Sequence, residues 1–310
     1  MLTIRLSSLT LLLFSCVSSL PAIAALVTTE VTVRFKIASN YMIVVPVTIN
    51  GSGPYDFVLD TGSNNTMLDQ KLADELALPH GGETAVLRPR SSMSSATVYA
   101  DSFSIAGATV AGKDLVLVTS ADLRGLPRKV RGVLGEDFLQ NFDVLIDYSH
   151  LVIQLESGLS SIAEMLRGEH LPIQLNGSLR GEPTLRRLIV VGHIRDLGVK
   201  SLSLLLDSGV NNLTLFRENL GVGSKRQTFI DVSNGSAPSI LIVKTQAIRT
   251  LNLGKNEIND LTVVALACQP ESDADGMIPT SLFHSIFISH QRRFVILNPF
   301  FPRQPKASSN

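Results

Sequence analysis

The chain has 310 residues, 45% of them apolar and 17% charged, so it can bury enough surface to fold, and its length has room for two domains with separate cores. Lys plus Arg and Asp plus Glu number 27 each, which leaves no cationic excess for a phosphate backbone and argues against nucleic-acid binding. Tryptophan is absent and Leu and β-branched residues dominate the apolar runs, a composition that leans towards strands.

Residues 1–24 read as an export signal. Arg5 precedes an apolar stretch containing Leu9, Leu11, Leu12, Leu13 and Phe14, and Ala22-Ile23-Ala24 is a small-x-small cleavage site. A second reading stays open. Leu13-Phe14-Ser15-Cys16 resembles the acylation site of bacterial lipoproteins, which would make Cys16 a lipid anchor and the only link to a membrane. The expected location is exported, periplasmic or secreted, with an outer-membrane lipoprotein as the alternative. No later stretch approaches the roughly 18 to 20 uncharged apolar residues of a membrane-spanning helix. The two cysteines are Cys16 and Cys268, so removal of the signal leaves one thiol and no intramolecular disulfide.

Residues 28–155 read as a first lobe. Residues 42–49 form an expected strand, Asn50-Gly51 a hairpin turn, and 55–59 the return strand, which runs into Asp60-Thr61-Gly62-Ser63. Residues 67–76 carry apolar side chains at helical spacing. The Ser-rich stretch 87–96 is an expected mobile hairpin tip, and 142–146 with 151–155 close the lobe as strands. Residues 156–169, with Ile162, Met165 and Leu166 at helical spacing, read as a linker with a short helix. The second lobe, 170–298, repeats the scheme: strands at 187–194 and 201–206 lead to Asp207-Ser208-Gly209, and 286–288 with 294–297 close it. Residues 299–310 are expected to be a frayed tail.

The two halves share more than a scheme. Residues 57–65 recur as 204–212, 147 residues later, and Gly132-Val133-Leu134-Gly135 recurs as Gly276-Met277-Ile278-Pro279 at an offset of 144. Two landmarks in the same order at nearly the same offset argue for duplication. One Asp-Thr-Gly is an ordinary turn sequence. Two copies, each after an apolar strand, put each carboxylate at the end of a core strand, where charge is costly unless partnered.

Residues 57–63 and 204–210 resemble the active-site turns of the aspartic peptidases of the pepsin and retropepsin type, and the likeness extends over roughly residues 30 to 298. The resemblance implies an all-β, bilobal acid-protease fold with pseudo-twofold symmetry and a few short helices. It implies an exported endopeptidase acting on a peptide or protein substrate, monomeric with two fused lobes, and without metal or cofactor. Asp60 and Asp207 would share one proton, because two adjacent carboxylates cannot both ionise cheaply. The charged one would activate a water and the neutral one would hydrogen-bond the scissile carbonyl. Thr61 and Ser208 would cross-link the two turns, Gly62 and Gly209 would let backbone amides approach the carboxylates, and the Ser63 hydroxyl would reach Asp60. Gly132 and Gly276 would mark the second family landmark, a glycine turn before a short helix, and Tyr99 is the candidate flap hydroxyl. A tyrosine in a β-rich segment is also ordinary packing.

Some positions depart from the pattern. Val210 stands where Ser63 stands in the first half, Arg131 and Asp275 put charges before the landmark glycines, and Pro279 replaces Gly135. These features keep a rival in play: an exported binding module on the same scaffold without turnover. A third reading has the first lobe dimerise in retroviral fashion and leaves Asp207 idle. The six histidines show no ligand spacing and no Gly-x-Ser-x-Gly occurs, so metallopeptidase and serine-hydrolase chemistry lack support.

Overall fold

Runs rich in Val, Ile and Leu pack on pleated faces, and they fold as strands through most of the described residues. The computed structural model describes residues 30–300 apart from 89–90, 119–122, 124–125, 159–160, 175–186, 222, 232–238 and 268–273. The expected export signal, Cys16, Cys268 and residues 301–310 lie outside the described residues.

The first half contains β1 (Glu30–Arg34), β2 (Lys36–Ala38), β3 (Met42–Ile49), β4 (Ser52–Leu59), β5 (Met67–Asp69), β6 (His80–Arg88), β7 (Ser91–Ile105), β8 (Ala108–Val118), β9 (Val130–Leu134), β10 (Asp143–Asp147) and β11 (Val152–Glu156). Helices α1 (Gln70–Glu75) and α2 (Glu136–Leu139) are short, and α3 (Ser161–Met165) lies between the halves. The second half contains β12 (Leu171–Pro172), β13 (Ile189–Ile194), β14 (Val199–Asp207), β15 (Leu213–Leu215), β16 (Lys225–Asp231), β17 (Ser239–Leu253), β18 (Asn256–Ala265), β19 (Gly276–Pro279), β20 (Ser285–Ser289) and β21 (Phe294–Leu297).

The halves repeat one topology. The order β3-β4-β9-β5-β8-β7-β6 in the first is matched by β13-β14-β19-β15-β18-β17-β16 in the second. Each sheet closes on itself, through β3–β7 and β13–β17. The third sheet, β1-β11-β10-β20-β21-β12, takes three strands from each half. Its centre is the antiparallel pair β10–β20, with Val144 opposite Ile288 and Ile146 opposite Ile286. The fold is therefore all-β and bilobal, with one lobe per repeat and a sheet shared between them.

In each lobe the strand that ends at the aspartate lies parallel to the strand that carries the landmark glycine: β4 on β9, with Leu59 opposite Leu134, and β14 on β19, with Asp207 opposite Pro279. The first core is built partly from edge-on aromatic contacts, Phe57 with Phe103 and Phe103 with Phe138, each pair with ring centroids 5.6 Å apart. The second core is mainly aliphatic, with Leu204, Leu206, Leu213, Leu215, Leu251 and Leu253 all buried.

The structure corrects two sequence-based expectations. Residues 67–69 are a strand, because Met67 and Leu68 pair with both β8 and β9, and only from Gln70 does the chain turn helical. Gly132 and Gly276 sit inside strands rather than in turns. A Cβ on Gly132 would overlap the Met67 carbonyl and the Phe57 ring, and one on Gly276 would overlap the Thr214 carbonyl, so their role is close strand approach. Arg167 and Phe300 exchange two backbone hydrogen bonds of 2.8 and 3.0 Å at the last described residue. The hairpin turn at Asn50-Gly51 is as expected, both residues having positive φ (49° and 77°).

The unusual charges before the glycines have partners. Arg131 bonds Asp69 at 3.3 Å and Glu75 at 3.1 Å. Asp275 accepts from the Ser203 amide at 2.8 Å. Gly276→Ala is expected to destabilise the protein by about 1–3 kcal/mol through overpacking against backbone, read as a lower urea midpoint. An exposed Gly221→Ala variant, strained only by its φ of 102°, serves as the comparison and is expected to lose less.

Candidate active site

The ends of β4 and β14 meet at the seam between the lobes. Thr61 and Ser208, 1% and 2% exposed, form a reciprocal set of hydrogen bonds there. The Thr61 amide donates to Ser208 Oγ and the Ser208 amide donates to Thr61 Oγ1, each at 3.0 Å. The same hydroxyls donate onward to the opposite strand's carbonyl, Thr61 Oγ1 to Leu206 O at 2.9 Å and Ser208 Oγ to Leu59 O at 2.8 Å. Four bonds thus fix the two turns face to face.

Asp60 and Asp207 stand above this lattice. Each carboxylate accepts from the amide two residues on: Gly62 N to Asp60 Oδ1 at 2.9 Å, and Gly209 N to Asp207 Oδ1 at 2.7 Å. Each glycine also lies against the other lobe's acid. A Cβ on Gly62 would run into the Asp207 carboxyl, and one on Gly209 would sit 2.9 Å from the Asp60 carboxyl. Only glycine permits that approach. The two carboxyls are near enough for each to act on the ionisation of the other.

Burial, followed by the charge of Asp60, holds the Asp207 carboxyl well above the usual carboxylate range. Burial also raises Asp60, but the Gly62 amide, the Asp207 contact and the Ser63 amide oppose the rise. Asp60 is therefore the acid that ionises first and Asp207 the one that keeps the shared proton.

The expected Ser63 hydroxyl contact is replaced by another. Ser63 Oγ donates to the Asn65 carbonyl at 2.9 Å, and it is the Ser63 amide that serves Asp60. Its counterpart Val210 packs with Phe216 against Ile189, Leu205, Ala274 and Met277. The first turn is instead tied to α2. Glu136 N donates to Ser63 O at 2.8 Å and Asp137 N to Asn64 O at 3.1 Å. Gly135, the last glycine of the first landmark, closes this corner, since its Cβ would fall 2.7 Å from the Asn65 carbonyl. The Arg88↔Ser91 pairing makes the stretch at 87–96 part of the paired strands β6 and β7, and residues 89–90 lie outside the described residues. Tyr99 lies in mid-strand on β7, opposite Asp114, with its hydroxyl over Gly112 of β8, which is the packing use of a tyrosine.

Two groups near the acids were missed by the sequence reading. Tyr41 lies two residues before Ile43, the partner of Leu59, and burial and then the charges of Asp207 and Asp60 push its hydroxyl up. Arg187 precedes Leu188, whose carbonyl accepts from the Leu206 amide, and its charge pulls Asp207 down in part. The available signal was topological: the strand paired with an aspartate-ending strand must begin beside that aspartate. Among the described residues no group of three or more His, Cys, Asp or Glu side chains is placed to hold a metal ion.

Residues 45–138 match the family model for aspartyl proteases. Among solved structures, a retropepsin-like aspartic protease from Rickettsia conorii is 16% identical, with a TM-score of 0.31 over 42% of this chain and 92% of that chain. A search of curated proteins gives no match.

The raised carboxyls make stability pH-dependent. A group whose folded pKa lies above its unfolded value contributes fully below the unfolded value and loses that contribution as pH rises through the folded one. The free energy of unfolding is therefore expected to fall as pH rises from the ordinary carboxylate range towards neutrality. Urea unfolding of Asp207→Asn is expected to show a flatter pH dependence than the parent, and an unchanged slope would contradict the shared burial. Thr61→Val, which leaves the Ser208 amide without its acceptor, is expected to cost about 1–3 kcal/mol.

Proposed function

We propose that this chain, a member of the aspartic peptidase superfamily, is an endopeptidase that hydrolyses peptide bonds with a water activated by Asp60 and Asp207. The observation that carries the reading is the close approach of two carboxyls, buried Asp207 and half-buried Asp60, one from each lobe, each with the other lobe's glycine against it. Such a pair holds one proton over a working range of pH.

Ionised Asp60 takes a proton from the water as it attacks the scissile carbonyl. Protonated Asp207 donates to the carbonyl oxygen, which becomes a hydroxyl of the tetrahedral intermediate. The intermediate collapses as the leaving nitrogen takes the proton from Asp60 and the C–N bond breaks, while one hydroxyl of the intermediate returns its proton to Asp207, leaving a carboxylic acid and the starting state of the dyad. No covalent link to the protein forms.

The substrate is a peptide or protein strand lying across both lobes. Export belongs to the same proposal and rests on residues 1–24. Mass spectrometry of the mature N-terminus separates a chain starting at Ala25 from one acylated at Cys16. The contact of both acids within one chain supports a fused, monomeric site over one assembled from two copies. A binding module without turnover is the alternative, favoured by apolar Val210 in place of a hydroxyl.

Peptide cleavage measured between about pH 3 and 7 tests the proposal, since that range spans the titration of a split carboxylate pair. Asp60→Asn and Asp207→Asn are each expected to lose at least about 10²-fold in kcat. A statine-type inhibitor is expected to block the parent. Cleavage that survives either substitution rejects the mechanism, and inhibitor binding without cleavage favours the binding module.

A further inference from the structure

The shared sheet carries a second pair of cross-lobe contacts. The turn after β10 places Tyr148 against Thr280, Oη to Oγ1 at 2.5 Å. The turn after β20 places His290 against Glu136, Nε2 to Oε2 at 2.8 Å. These are matching positions of the duplicated pattern: Glu136 opens α2 behind β9, and Thr280 opens the 3-10 turn behind β19. The match extends to the neighbouring backbone. The Tyr148 amide donates to the His284 carbonyl at 2.9 Å, and His290 Nδ1 faces the Phe142 carbonyl at 2.6 Å. Each lobe therefore braces the corner that holds the other lobe's aspartate. On the first side the linkage is short, from His290 to Glu136, from the Glu136 amide to Ser63 O, and from the Ser63 amide to Asp60 O at 3.2 Å.

The two braces differ in chemistry. Tyr148 with Thr280 is neutral, and burial, eased by the Thr280 hydroxyl, pushes the Tyr148 phenol up to about 12. His290 and Glu136 are ionisable and 4% and 2% exposed. Both imidazole nitrogens face acceptors, the Phe142 carbonyl and the Glu136 carboxyl. A ring with one proton can serve only one of them, so the contact requires a second proton, held on the ring or on Glu136.

Other charges act on the pair. Asp143 of β10 accepts from Ser289 Oγ at 3.0 Å and from the Gln291 amide at 3.4 Å, and it faces His290 as a further anion. Asp137 and Asp60 act on Glu136. Arg292, the next cation along the turn, is directed to Glu164 at 3.4 Å. Burial alone would lower His290, but the charge and hydrogen bond of Glu136, the Phe142 carbonyl and Asp143 outweigh it and raise the ring. Burial raises Glu136 as well, with His290 offsetting part.

Resting on the peptidase reading, we propose that His290 is a positioning residue for Asp60, holding α2 and the first catalytic turn through a proton it shares with Glu136. The brace is closed in acid. It opens as pH rises through the raised value of the pair, and the Asp60 turn then loses its support from the other lobe. This dependence has the same sign as that of the dyad, so a test must remove one and keep the other.

The neutral brace supplies the design. In the full chain, His290→Ala is expected to lower kcat about 10- to 100-fold with KM within about twofold, because it displaces the general base without touching substrate. The double variant Glu136→Thr with His290→Tyr copies the Tyr148–Thr280 contact. It is expected to recover most of the lost kcat and to show a shallower fall of the urea midpoint above about pH 6.5, the ordinary histidine value. A double variant whose midpoint follows the parent's pH dependence overturns the proposal. If the double variant does not fold, nitrogen-15 NMR of labelled histidine in the parent decides: a pair that keeps its proton above about pH 6.5 supports the brace, and a ring that titrates at or below that value overturns it. If the parent cleaves no peptide at any pH, the peptidase reading fails, while the unfolding and NMR results still decide the brace.

Discussion

The hydroxyls of Thr61 and Ser208 are the constraint from which the rest of the site follows. Each accepts from the other lobe's amide and donates to a carbonyl near the end of the other lobe's strand, so neither turn is satisfied alone. Both side chains are almost fully buried, and a buried polar group left unpaired costs about 1–3 kcal/mol. The lattice therefore sets the separation of the two chain segments, and with it the separation of Asp60 and Asp207. Gly62 and Gly209 complete the arrangement by allowing the acids to come together over the seam.

The electrostatics are a consequence of that geometry. Brought together they are raised unequally: the Gly62 and Ser63 amides and the Asp207 contact hold Asp60 down, while burial and then the charge of Asp60 raise Asp207, which makes Asp207 the holder of the proton. Duplication makes these differences visible. Gly135 is matched by Pro279, Glu136 by Thr280 and Ser63 by Val210, so the two halves support their acids with different chemistry on one topology.

Much of this was legible in the sequence because the repeat indexes itself. Strands β3 and β4, the closing strands of both halves and the two aspartate turns follow from apolar runs broken by turn residues, which are local signals. The pairing of the two turns was inferred from the offset shared by two landmarks. What escaped depends on contacts distant in sequence. Residues 67–69 have helical spacing, yet pairing with β8 and β9 draws them into a sheet. Gly132 reads as a turn glycine until β5 and Phe57 are seen to press on it. Tyr41, Arg187 and the His290–Glu136 contact have no local motif, and only sheet order brings them to the seam or behind it.

The central claim is that Asp60 and Asp207 hold one proton in common. Carbon-13 NMR of carboxyl-labelled aspartate, followed through a pH titration and assigned with the two Asp→Asn variants, observes that proton without reference to any substrate. The account predicts two coupled steps, the later one well above the ordinary carboxylate range, and collapse to a single step when either acid is replaced. Two independent titrations at ordinary values, each unmoved by loss of the other acid, would contradict it.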